Sequence, residues 1–132
     1  MRIVIVDLSL GRISEESLPP SVEHQFVGAR GVNAYILYRR APVGVDPLSP
    51  LCPIVFGTGP VTGMPFPMGG RFITTTKSPL TGTIFASSCG GRLGVSLKKC
   101  GVDFLVLVGK AAVPSYILVD EKGLSVRDAS SI

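Results

Sequence analysis

Two glycine-rich turns and two arginines carry most of the chemistry this sequence could do. The first turn ends in Gly69-Gly70-Arg71, and the second reads Ser88-Cys89-Gly90-Gly91-Arg92. Glycine lets backbone N–H groups come close to a ligand and tolerates φ > 0. A helix starting after the second turn would add free N–H donors and the positive end of a dipole. Arg71 and Arg92 bring a fork-shaped cation to each turn. The stretch 57–101 therefore describes a place built to hold an anion, such as a phosphate-bearing ligand.

The other reactive side chains are sparse. Cys52, Cys89 and Cys100 are widely spaced and form no CxxC pair, so this chain alone builds neither a structural zinc site nor an iron–sulfur site. They read as reduced, buried thiols of a cytoplasmic protein, Cys89 least so because it sits in the glycine turn. His24 is the single histidine and has no ligand partner at i+4, which leaves no Ser/His/Asp set. The aspartates sit at strand ends and turns, none paired at short spacing with another acid. There is no P-loop, and no G-x-G-x-x-G follows a strand. The residues themselves give an anion-binding domain with no catalytic group and no metal site of its own. Arg30, between two glycines in Gly28-Ala29-Arg30-Gly31, reads equally as a ligand contact or a loop anchor.

The elements that must position these groups follow from β-branched runs and breakers. Arg2–Asp7 and Arg12–Leu18 read as a hairpin. After Pro19-Pro20, Ser21 is expected to cap a helix starting at Val22. Gly28–Gly31 interrupts that pattern, and a second helix is expected over 32–40. Residues 41–53 form a proline-rich ordered loop leading into a strand at 54–57. Residues 71–77 and 83–87 read as strands joined by the Ser78–Gly82 turn. Such a hairpin brings its outer ends together, so the two glycine turns are expected to be neighbours. A third helix is expected over 91–100, with Leu93, Leu97 and Cys100 as its apolar stripe. A doubly buried strand follows at 104–109 and a last hairpin at 116–127. The fold class is α+β, a mixed or antiparallel β-rich domain with about three short helices, filling residues 1–132 as a single domain.

Composition agrees. Apolar content is 45% and charged content 17%, the balance of a globular chain. A net charge of +4 suits an anionic ligand but is too small and too scattered for nucleic acid. No apolar run is long enough to span a membrane, and no signal peptide is visible.

GTGPVTG, P-x-GGR, TKSPLTG, a glycine pair opening a helix, and KKCGVDFLVLVGKA occur in this order. With Gly28–Gly31, Asp46–Pro50 and Val126–Ser130, they resemble the N-terminal domain of the tungsten-containing aldehyde ferredoxin oxidoreductases, over nearly the whole chain. The resemblance implies a β-rich base under a tungsten bis-pterin cofactor, with a [4Fe-4S] cluster relaying electrons to ferredoxin. Arg71 matches the family arginine between pterin and cluster. Ser88, Cys89 and Gly90 match its pterin-contacting turn, flanked here by Gly70 and Gly91. The family usually has Asn at the position of Ser88. Its enzymes are several times longer, and the resemblance places cluster cysteines and acid/base residues in later segments.

Two readings follow. In the first, the chain is an N-terminal fragment or subunit of a tungstopterin aldehyde oxidoreductase. It holds part of the cofactor cradle and works with ferredoxin and the remaining domains; alone it is expected to be inactive. In the second, it is a truncated, non-catalytic relative that self-associates or binds a small anion.

Overall fold

Runs of valine and isoleucine set the centre of the molecule. A computed structural model describes residues 1–65 and 67–132. β1 (Arg2–Asp7) and β6 (Phe104–Val108) pair in parallel, Ile3 opposite Phe104 and Val6 opposite Leu107. β6 pairs antiparallel with β3 (Ile54–Thr58), β3 with β4 (Phe72–Lys77), and β4 with β5 (Ile84–Cys89). β2 (Arg12–Ser17) returns along β1, so the six-stranded sheet runs β2-β1-β6-β3-β4-β5. A separate hairpin joins β7 (Ser115–Asp120) to β8 (Gly123–Asp128). The domain is thus mixed α+β with a mostly antiparallel sheet and, among the described residues, three helices.

Both faces of the central strands are covered, which explains the near-continuous apolar run in β6. On one face Ile3, Ile5, Val55, Phe104 and Val106 pack under helices α1 (Pro20–Phe26) and α2 (Ala29–Arg40), which contribute Val22, Val32, Ile36 and Leu37. On the other, Val4, Val6 and Leu105 meet Leu97 of α3 (Leu93–Lys99), with Val119, Leu124 and Val126 of the β7–β8 hairpin at the rim. No described helix is long and apolar enough to cross a membrane.

Several element boundaries differ from the expectation, each for a backbone reason. α1 begins at Pro20, with Pro19 rather than Ser21 at the cap position and no side-chain cap. Proline is suited to the first helical turn because its missing N–H would have no partner there. α2 begins at Ala29, so Gly28–Gly31 opens the helix instead of interrupting it. Gly28 is required by contact: a Cβ there would lie 2.9 Å from Cδ of Pro60. α3 starts at Leu93 and not at Gly91, whose φ of +102° is outside the helical region. Leu93 is exposed, so Gly94 and Leu97 form the buried side of α3.

Candidate anion-binding site

The β4–β5 ribbon assembles the candidate site. Its register sets Phe72 opposite Cys89 and Ile73 opposite Ser88. The chain entering β4 and the chain leaving β5 therefore run side by side, and the two glycine turns meet as the hairpin argument expects. The contact is close: a Cβ on Gly70 would lie 2.9 Å from the carbonyl oxygen of Gly91. Arg71 Nη1 donates to Ser88 Oγ at 3.2 Å, with both residues exposed. Gly90 and Gly91 have nothing within 4 Å of the position a Cβ would take, so their backbone is open to an approaching group.

The first glycine-rich loop is fastened from inside. Thr62, buried, accepts the N–H of Gly59 at 2.9 Å and donates to the carbonyl of Arg71 at 3.1 Å. Gly63 N–H closes the loop on the Gly69 carbonyl at 2.8 Å. Gly94 lets α3 sit against the same corner, since a Cβ there would be 3.2 Å from Cβ of Phe72 and 3.3 Å from the Gly70 carbonyl. Thr62 thus holds Arg71 in place, a role the sequence reading missed. Its signal is a hydroxyl three residues after Gly59 in Gly59-Pro60-Val61-Thr62, a spacing suited to a local side-chain turn.

A second missed residue sits below the site. Asn33 is fully buried on the apolar side of α2, and its amide donates to the Ile73 carbonyl at 2.8 Å and to Thr75 Oγ1 at 3.1 Å. It fixes the helix against the strand that begins at Phe72, next to Arg71. Gly57 makes room, because a Cβ there would overlap the Asn33 carboxamide. A lone amide within the stripe Val32, Ile36, Leu37 was the available signal.

Two expectations need correction. Ser88 and Cys89 are not in a turn: β5 continues to Cys89, and the turn begins at Gly90. The β4–β5 ladder had more bonding capacity than the expected end at Ser87 allowed, because Phe72 and Ile73 were available as partners. Successive strand residues point to opposite faces, so Ser88 lies on the Arg71 side and the Cys89 side chain on the other. Nor is Cys89 buried; its thiol is exposed, while Cys52 is buried and Cys100 partly so.

The remaining candidates separate from this corner. Arg92 is exposed at the start of α3, on the turn that also holds Gly90 and Gly91. Arg30 is exposed in the first turn of α2. His24 is exposed on α1. Lys98, in the last turn of α3, is ion-paired with Asp103, whose other carboxylate oxygen accepts the Arg2 N–H at 2.6 Å. Among the described residues no group of three or more His, Cys, Asp or Glu side chains is placed to hold a metal ion.

The family model described as "Aldehyde ferredoxin oxidoreductase, N-terminal domain" matches residues 3–132. A tungsten-containing aldehyde ferredoxin oxidoreductase of Pyrococcus horikoshii is 40% identical over 131 residues, which is 99% of this chain and 22% of that protein. An aliphatic sulfonate oxidoreductase, WOR-like subunit, of Pyrococcus furiosus is 32% identical, covering 98% of this chain and 21% of its own. Among solved structures, the active site complex BamBC of benzoyl coenzyme A reductase superposes with a TM-score of 0.93 at 32% identity, over 98% of this chain and 20% of that one. The chain spans about a fifth of the length of the curated relatives it matches.

Proposed function

The chain belongs to the aldehyde ferredoxin oxidoreductase family, as an N-terminal domain of it, and from that premise we propose that it supplies part of the cradle for a tungsten bis-pterin cofactor used in oxidising aldehydes to carboxylic acids. The observation that carries this reading is the Arg71–Ser88 pair at the junction of the two glycine turns.

The residues present fit such a group. Pterin phosphates and reduced dithiolenes are anions, and exposed guanidinium and backbone N–H groups suit them. Arg71 would hold one anionic edge, oriented by the Ser88 hydroxyl. Gly70, Gly90 and Gly91 would bring main chain close, and Cys89 would take part through its backbone because its side chain points away. When bound, the cofactor supplies two-electron oxidation at its metal, with electrons leaving through a [4Fe-4S] cluster to ferredoxin. This chain's residues bind and orient; among the described residues no proton-transfer group is aimed into the corner, and the acid/base residues and the cluster would come from the rest of the enzyme. The chain alone does not turn over aldehyde.

The test is a complex of this chain with the part that the relatives carry outside the matched fifth, produced in tungstate medium. Tungsten is measured by mass spectrometry and pterin by fluorescence after acid oxidation. Both are expected in the complex, and Arg71→Ala lowers both by about tenfold or more. A complex that forms but carries neither metal nor pterin would overturn the reading.

A further inference from the structure

The residues that close α3 and open β6 put two lysines, Lys98 and Lys99, at the end of a helix and an acid, Asp103, just beyond it. Gly101, at φ +72°, turns the chain back. Its N–H bonds to the Lys98 carbonyl and that of Val102 to the Leu97 carbonyl, each at 2.9 Å, the pattern of a Schellman turn. Asp103 is thereby brought back to α3, and Lys98 Nζ pairs with its Oδ1. Lys98 is half-buried, whereas its neighbour Lys99 is exposed. Attraction to the helix dipole acts on either lysine in water, so it does not account for the burial of one.

Asp103 is also tied to two strands. Oδ2 accepts the Arg2 N–H of β1 at 2.6 Å. Its main-chain carbonyl accepts both the N–H and the hydroxyl of Thr58, each at 3.0 Å. Thr58 is buried and ends β3, directly before Gly59 and the first glycine-rich loop. The stem of Lys98 meets that loop further along, since a Cβ on Gly63 would lie 3.7 Å from Cβ of Lys98. Lys98 therefore touches the loop through its stem and the residue anchoring the loop through its ammonium. The loop leads into Arg71, while α3 follows Gly90 and Gly91. The two walls of the anion-binding corner are joined from behind by this one side chain.

We propose that Lys98 is a positioning residue of the cradle: paired with Asp103, it keeps α3 against the first glycine-rich loop and so holds Arg71 beside the second glycine turn. The role presupposes the cofactor-cradle reading. The side chains of Lys98 and Asp103 are 23% and 18% exposed, against 43% and 55% for Arg2 and Glu15 on the sheet edge. Water screens the inner pair less, and removing one partner leaves a half-buried charge uncompensated. Solvent drawn between α3 and the loop relieves that charge and loosens the loop.

Three variants test this. Lys98→Met removes the charge and keeps most of the stem, Lys98→Arg keeps both, and Asp103→Asn removes the partner charge while leaving the carbonyl that Thr58 uses. Hydrogen exchange on the chain needs no cofactor. Lys98→Met and Asp103→Asn should each speed exchange at Thr58, Gly59 and Gly63 by about tenfold relative to the amides of β1 and β6, and the double variant should add little to either. Lys98→Arg should restore the parent rates. In the complex with the rest of the enzyme, pterin content should fall about threefold or more in the first two variants and recover in Lys98→Arg. Arg71→Ala should lower pterin content with exchange at the three amides unchanged. Misfolding of one variant leaves the other decisive. Unchanged rates at the three amides, or an even rise along the whole chain, would overturn the proposal. So would a parent complex that carries pterin at a level neither variant lowers, and that outcome leaves the cradle reading standing. A parent complex without pterin overturns the cradle reading itself, and the positioning role falls with it.

Discussion

Arg71 and Ser88 are joined across the open end of the β4–β5 ribbon, Nη1 to Oγ at 3.2 Å. The bond is exposed and local, so it fixes the direction of a cation more than it stabilises the fold. Arg71→Ala should therefore shift the urea midpoint little, within about 0.5 kcal/mol, while weakening binding of a phosphorylated pterin. Arg71→Lys should recover only part of the binding, because an ammonium lacks the planar fork. Titration by pterin fluorescence checks both, and an Arg71→Ala chain that binds as well as the parent removes this residue from the cradle.

Gly70 and Gly90 give a matched pair of opposite outcomes. A Cβ on Gly70 meets the Gly91 carbonyl at 2.9 Å, and backbone must move to admit it. Gly70→Ala is expected to cost about 1–3 kcal/mol, the range of an overpacked site. A Cβ on Gly90 meets nothing within 4 Å. Gly90→Ala should thus leave thermal stability nearly unchanged and act only on ligand approach. Equal loss of stability in the two variants would show that the turns do not touch as described.

The meeting of the glycine turns was legible because it needs only hairpin logic: two β-branched runs, a Ser78–Gly82 turn, and ends that must come together. The split of Ser88 and Cys89 onto opposite faces was not, because the expected strand stopped at Ser87 and left both in a turn. The start of α3 was misplaced because a sequence does not show that Gly91 sits at φ +102°. Asn33 escaped notice for a different reason. Its partners Val55, Ile73 and Thr75 are 22, 40 and 42 residues away, and no local pattern carries that information.

Asn33 ties α2 to β4 through the Ile73 carbonyl and the Thr75 hydroxyl, and to β3 through the Val55 carbonyl. Asn33→Ala leaves a void and an unpartnered Ile73 carbonyl, and should cost about 2–4 kcal/mol. Asn33→Leu keeps volume but still strips the donor and crowds Gly57. Because Ile73 follows Arg71 by two residues, either change should also loosen the Arg71–Ser88 corner. Chemical denaturation gives the first effect, and faster amide exchange at 72–75 gives the second. Full native stability in Asn33→Ala would mean the buried amide is not holding the strand.

The β1–β2 edge supplies a pH dependence remote from the site. Arg2 donates through Nε to Glu15 Oε2 at 2.9 Å, and that hydrogen bond, with the added attraction of the guanidinium charge, holds the Glu15 carboxyl below its ordinary value of 4.5. A folded-state value below the unfolded one means that the unfolded chain takes up the proton first as acid is added. The contribution of Glu15 is therefore fully present above pH 4.5 and is lost as pH falls below it, through the lower folded-state value. The pair is solvent-exposed, so its effect is small and shrinks with salt. Glu15→Gln should lower the urea midpoint slightly at neutral pH and flatten the acid limb of the midpoint-against-pH curve below pH 4.5. Raising ionic strength should bring the two proteins closer together at neutral pH. An acid limb of unchanged slope in Glu15→Gln would transfer the acid sensitivity to other carboxylates.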